Sequence, residues 1–154
     1  MAEPPDTDQL THLAAVSHKE SRFGYIPFSE EKVRKVIQKA LIDRKRNGLM
    51  IAQKNEQIIG AAYCSIGELH IGTEVLLTTI HNINVLKTVR SSLLGGRSAL
   101  GLLKGIETWS EARNAHEILF HVTSGVDLAR VHKLVKGRGY ILNGQNYAKN
   151  IFNK

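Results

Sequence analysis

The chain has 154 residues, 42% of them hydrophobic and 23% charged, with 21 basic against 14 acidic side chains for a net charge of +7. That apolar content supplies a core and excludes disorder over any long stretch, and no run reaches the roughly 20 apolar residues that span a bilayer. The lone cysteine, Cys64, excludes an internal disulfide, and its apolar neighbours point to a buried thiol in a reducing compartment.

One domain over residues 1–154 is the expectation for this length, with residues 1–6 loose. The opening MAEPPDTDQ is acidic and polar, unlike a secretory signal, so a soluble cytoplasmic protein is expected. A short helix is predicted over Thr7 to Val16. SHKESRFGYIPF then reads as a loop, broken by Gly24 and Pro27. A second helix is predicted from Glu30 to about Arg46. Ser29 is placed to cap it, and Glu30 and Glu31 lie in the first turn, where they favour the helix dipole. Val33, Val36, Ile37, Ala40 and Leu41 make a buried stripe at helical spacing, which Asn47 and Gly48 end. Seven basic residues fall between Lys32 and Arg46. Such a field attracts nucleic acid, an acidic protein or a phosphate-rich cofactor. Base-stacking aromatics are not interleaved with it, which argues against a sequence-reading nucleic-acid module.

LMIAQK and QIIGAAYCSI flank a polar turn at Asn55 and read as an antiparallel hairpin. After a connection over 67 to 74, EVLLTTIHNINVLKTV is a long β-rich stretch. A helix is predicted from about Ser98 to Arg113, burying Leu102, Leu103, Ile106 and Trp109. EILFHVT alternates as a short strand, a last helix runs from about Val126 to Lys136, and YILNGQNYAKNI reads as a hairpin turning at Asn143-Gly144. Strand, helix, strand in mid-chain implies a parallel crossover between antiparallel hairpins. The expected fold is α/β (α+β), a mixed and mostly antiparallel sheet with helices on both faces.

This order of elements, with the small-residue turn Leu94-Gly95-Gly96-Arg97-Ser98-Ala99 following the β-rich stretch that ends at Val89, resembles the GNAT superfamily of N-acetyltransferases. The Gly139-Tyr140 step after the last helix and Tyr147-x-Lys149 at the end match the same pattern, so the resemblance covers Thr7 to Ile151. GGRSALGLL also resembles the divergent loop of phage-encoded members. The family's turn is Arg/Gln-x-x-Gly-x-Gly/Ala. Ala99 fits its last position, whereas Leu94 replaces the leading Arg or Gln and Arg97 the first Gly.

The resemblance implies acetyl-CoA as cofactor and direct acetyl transfer to an amine acceptor. It implies a parallel strand pair that splays to form the cleft. The pyrophosphate would lie on the amides of residues 94 to 99 at the next helix's start, with Gly95 and Gly96 permitting close approach. Arg97 and Arg90 are candidate phosphate contacts. The pantetheine arm would pair with the backbone of Leu86, Lys87, Thr88 and Val89 as an added strand.

Transfer to an amine needs a base. No carboxylate occurs between Val75 and Val89, so His81 is the titratable candidate, with Asn82 and Asn84 able to orient a water. The family's acid, a Tyr in the last helix, is replaced by Val135, leaving Tyr140 or Tyr147 as substitutes. These departures keep two other readings open: a non-catalytic protein of the same fold, such as a virion component or an acyl-CoA-binding relic, and a nucleic-acid-associated protein.

Overall fold

The computed structural model describes residues 1–144, 148 and 149. In chain order these form α1 (Thr7–Glu20), α2 (Glu30–Ile42), β1 (Asn47–Lys54), β2 (Gln57–Glu68), β3 (Leu76–Val85), α3 (Lys87–Arg90), α4 (Leu93–Glu111), β4 (Glu117–Phe120) and α5 (Leu128–Gly137). The strands make one sheet in the order β1-β2-β3-β4. The first two pairings are antiparallel and β3 with β4 is parallel. The mixed sheet and the mid-chain crossover expected from the sequence are therefore present.

Each face of the sheet carries its own core. Leu10 and Leu13 of α1 and Ile37 and Ala40 of α2 close over Leu49, Ile58 and Ala61. On the other face, Leu102, Leu103, Ile106 and Trp109 of α4 pack on Met50, Ala62, Cys64 and Ile80, with Leu134 and Val135 of α5 against their edge. Burial holds the Cys64 thiol protonated, its pKa pushed up to about 12. The four α4 residues predicted to be buried are all in this core.

The β1–β2 hairpin turns at Asn55 and Glu56, both at positive φ (48° and 65°), as a type I′ turn demands. Gly48 is needed for a different reason. A Cβ there would lie 2.6 Å from Cys64 Sγ and 3.2 Å from the Trp109 ring, so only glycine lets α4 sit this close to β1. Trp109 Nε1 donates to Arg44 O, and Arg113, stacked over the Trp109 ring at 4.1 Å, donates to Lys45 O and Arg44 O.

Several boundaries differ from expectation, each for a tertiary reason. Residues 1–6 are held: Ala2 is buried, its amide donates to Leu49 O, and Glu3 pairs with Arg44. Helix α1 runs past Val16 to Glu20, where Glu20 pairs with Arg90 at 2.6 Å. Helix α2 stops at Ile42, because Asp43 O takes the Asn47 amide and draws buried Asn47 into β1. Ser29 caps α2 as expected, accepting from Lys32 N. The basic run is therefore split between α2 and the following turn, and Arg34, Lys35 and Arg44 are paired with acidic neighbours. Strand β4 ends at Phe120, before His121. Ile141–Gly144 has no regular structure, and the remainder of the expected hairpin, including Tyr147, lies outside the described residues.

Overpacking at Gly48 generates the first prediction. Gly48→Ala should destabilise the fold by about 1–3 kcal/mol, and Cys64→Ala, which removes the nearest obstacle, should recover part of that loss in the double variant. Chemical denaturation of the four proteins checks it; strictly additive effects would contradict the contact.

Candidate active site

Register builds the site. Down β2, Tyr63 pairs with Asn82 and Cys64 with Ile80, so His81 is an extra residue on β3, a β-bulge. The bulge puts His81 and Asn82 on the face that bears Tyr63, while Ile80, Ile83 and Val85 stay on the α4 side. Two residues beyond Asn82, Asn84 pairs with Ala61 on the α1/α2 side and is half-buried.

The parallel pairing with β4 ends at the same place, with Ile80 opposite Phe120. Strand β3 continues to Val85, and its β4-facing edge has no strand partner among the described residues beyond that point. The expected splay thus opens beside His81.

The His81 ring is held on two sides. Its Nε2 lies 2.8 Å from Ser65 Oγ, and the ring stacks on Tyr63 with centroids 5.0 Å apart and 23° between planes. Tyr63 is fixed in turn by donating its hydroxyl to Asn47 Oδ1 at 2.9 Å. Burial lowers the His81 pKa from its ordinary 6.5, and the nearby His121 and Lys39 lower it further. The imidazole is therefore neutral at physiological pH, the form that accepts a proton.

Tyr140 lies elsewhere. Gly139, at φ 87°, ends α5 and returns the chain so that the Tyr140 amide donates to Val135 O. The ring then packs into the α4-side core, with its hydroxyl buried and without a hydrogen-bond partner among the described residues. Burial first, and then the nearby Glu107 carboxylate, push its pKa up to about 12. Glu107 itself is paired with Arg138. The structure therefore brings His81, Asn82 and Asn84 to one region and sets Tyr140 across the sheet from them.

The segment around 86–99 differs from the expected loop. Leu86 is not extended edge strand: its amide donates to Ile59 O and its carbonyl accepts from Val89 N and Arg90 N. Lys87, Thr88 and Val89 are thereby wound into α3, so 86–89 does not present the extended edge that the expected strand addition needs. The expected turn at 94–99 is also helical. Ser92 caps α4, its Oγ accepting from Gly95 N at 3.2 Å, and the helix starts at Leu93. The positive end of this helix therefore lies at Ser92 to Leu94, at the leading edge of the motif rather than at its centre.

Within α4 the motif residues divide. Gly95 serves packing, because a Cβ would lie 2.1 Å from Val89 O. Gly96 is exposed, and a Cβ there would meet nothing within 4 Å among the described residues. Leu94 and Ala99 are half-buried, Ser98 is buried and Arg97 is exposed. Arg90 is committed to Glu20 and to Val85 O rather than free for phosphate. Arg130 of α5 reaches the start of α4 instead, donating to Ser91 Oγ at 3.1 Å.

Three participants escaped sequence reasoning: Ser65, Tyr63 and Arg130. The period-2 spacing of Tyr63 and Ser65 puts them on one face, but only the bulged register sets them against His81. Nothing local links Arg130 to Ser91, 39 residues away.

No protein-family model matches the sequence, and a search of curated proteins finds no match. Solved structures do match. A probable acetyltransferase superposes with a TM-score of 0.71 at 18% identity, covering 99% of this chain and 97% of its own. An aminoglycoside antibiotic 6'-N-acetyltransferase from Acinetobacter haemolyticus gives 0.68 at 19%, covering 97% and 96%. A transcriptional regulator from Bacillus halodurans gives the same score, identity and coverage. The chain has the fold of acetyltransferase structures. At these identities the likeness speaks for the fold alone, and the fold carries more than one role.

His81 should titrate below 6.5 by NMR, and Lys39→Ala should raise its pKa only partway, since burial is the larger cause. Protons bind the unfolded imidazole more readily than the folded one, so this group makes stability fall as pH drops through 6.5. A His81 pKa above 6.5 would contradict the geometry.

Proposed function

We propose that the protein is an acetyl-CoA-dependent N-acyltransferase that moves an acetyl group directly to an amine. The observation that carries this reading is His81, neutral and held by Ser65 and Tyr63, at the point where β3 leaves β4. It is the fold's expected place for the reaction.

The residues present fit the cofactor, though at positions shifted from the sequence motif. The amides of Leu93 and Leu94 open α4 beyond its Ser92 cap, where a helix start suits an anion. Gly96 leaves room on the same turn, and Arg97 and Arg130 supply positive charge. The edge of β3 beyond Ile80, which has no strand partner among the described residues, offers backbone groups to an extended arm, rather than 86–89. When bound, acetyl-CoA supplies the acyl group as an activated thioester.

The chain's own part follows from the site. An amine attacks only when neutral, and neutral His81 accepts its proton directly or through a water oriented by Asn82 and Asn84. The bond to Ser65 and the stack on Tyr63 hold the ring in one orientation, so less freedom is lost on reaction. Tyr140 retains its proton throughout the neutral range. In this reading it serves the α4-side core.

One set of measurements tests the proposal. Coenzyme A at a hundredfold excess over its Kd should stabilise the fold by about 2.7 kcal/mol, several degrees in Tm. Gly96→Glu should fold normally, because the position is open and a carboxylate in the first turn suits the helix dipole. It should nevertheless abolish that shift. His81→Gln should keep the shift and lower acetyl transfer about 10²- to 10⁴-fold. The absence of any response to millimolar coenzyme A would overturn the reading. It would favour a non-catalytic protein of this fold, to which the helical winding of 86–90 and 94–99 also points.

A further inference from the structure

The bulge that turns His81 away from the α4-side core also brings it to a hydroxyl. Cys64 and Ile66 of β2 face α4, so Ser65 between them faces the other way, where His81 lies. Ser65 Oγ and His81 Nε2 are 2.8 Å apart. In the tautomer with the ring proton on Nδ1, the hydroxyl donates to Nε2. Bulges re-aim side chains beside active sites, and here the re-aimed side chain is a base within hydrogen-bond reach of a hydroxyl. Such a pair activates an oxygen nucleophile when a third group orients the base. Tyr63 does so by stacking on the ring, and Tyr63 is itself fixed by buried Asn47.

A recess of 220 Å³ opens at Ser65, lined also by Thr79, Leu77 and Leu119. These four share one face of the sheet. Ser65 pairs with Thr79, Thr79 pairs with Leu119, and Leu77 lies two residues from Thr79 along β3. The leucines give apolar walls to an aliphatic chain. The volume is below the roughly 300–1,000 Å³ of sites for drug-sized ligands, so the chain is short. Directly opposed residues of an antiparallel pair have Cβ atoms about 4.5–5.5 Å apart. The Thr79 hydroxyl is therefore a neighbour of any carbonyl that meets Ser65 Oγ, and it is a donor for the oxygen that becomes negative there.

We propose that Ser65 is a nucleophile with His81 as its base, and that the pair hydrolyses activated esters and thioesters of short aliphatic acids through an acyl-Ser65 intermediate. This activity needs no coenzyme A and does not rest on the acyltransferase reading, although His81 serves both. In the first half, Ser65 Oγ attacks the acyl carbonyl carbon while its proton passes to His81 Nε2. The tetrahedral oxyanion collapses, the bond from carbon to the leaving oxygen or sulfur breaks, and the imidazolium returns its proton to that leaving atom. In the second half, water attacks the Ser65 ester and its proton passes to Nε2. The bond from carbon to Oγ then breaks, and Oγ recovers its proton from the ring. The sum is ester plus water giving acid plus alcohol or thiol, with no oxidant or reductant involved. Burial favours the neutral ring that both halves require.

The probe is p-nitrophenyl butyrate, mixed with the whole protein in the absence of coenzyme A. Nitrophenol should be released faster than by free imidazole at the same concentration. Acid quenching and peptide mapping should find one butyryl group, on Ser65. Ser65→Ala and His81→Gln should each lower the rate about 10²- to 10⁴-fold, and Thr79→Val should lower it about 10²-fold or more as one oxyanion donor is lost. Should Ser65→Ala fail to fold, the mapped position of the butyryl group in the wild-type protein decides. Release no faster than with free imidazole overturns the proposal. So does hydrolysis that survives Ser65→Ala, or a butyryl group found on His81 or Lys39 instead, because the imidazole or an amine is then the nucleophile. The two readings fail separately. Ester hydrolysis through Ser65 without any response to coenzyme A keeps the nucleophile and removes the transferase. Acetyl transfer from acetyl-CoA to an amine that survives Ser65→Ala, with no ester hydrolysis, keeps the transferase and removes the nucleophile.

Discussion

The extra residue on β3 governs both the core and the site. Side chains alternate along a strand, so a single inserted residue exchanges faces for everything beyond it. With His81 bulged, Ile80, Ile83 and Val85 all reach the α4-side core, and His81 and Asn82 both turn to the opposite face. Without it, either Ile80 or the Ile83–Val85 pair would face the wrong layer. The polar residues in mid-strand are thus a consequence of how the apolar ones are accommodated. The same position ends the parallel pairing with β4, so that, among the described residues, no strand pairs with β3 on that side next to the imidazole.

Around that point the molecule invests in rigidity. Tyr63 is pinned by Asn47, His81 is stacked on Tyr63, and Ser65 takes the remaining orientation of the ring. Arg90 bridges Glu20 with both side chains largely buried, tying the end of α1 to α3, and Arg130 joins α5 to the start of α4. A pair removed this far from water loses strongly if one member is deleted, whatever its net worth against an apolar pair. By contrast, the exposed pairs of Arg34 and Lys35 along α2 contribute little to stability. Their effect is to offset locally the charge that made nucleic acid a candidate partner.

Much of this was legible in the residues. The stripe of α2 and its Ser29 cap, the Asn55 hairpin, the four buried residues of α4 and the order of the strands all follow from short-range periodicity, which acts wherever the chain ends up. His81, Asn82 and Asn84 stood out because polar groups interrupt an apolar strand. The odd spacing of Ile80 and Ile83 is the sequence trace of the bulge, but it acquires meaning only once β2 lies alongside. Motif spacing misled at 86–99. A glycine pair reads as an open turn, yet Ser92 caps the helix earlier, and Gly95 is there so that Val89 can approach.

The sequence by itself determined most of the helices and strands, the apolar faces and the mixed sheet, because these depend on alternation, helical spacing and capping within a few residues, and it singled out His81 as the candidate base. Tertiary structure alone decided which groups meet His81, where the positive end of α4 lies, and that Arg90 serves Glu20 rather than a ligand. Each of those rests on pairing between residues far apart in the chain. Pairing is set by how two cores close on one sheet, and no local pattern encodes that closure.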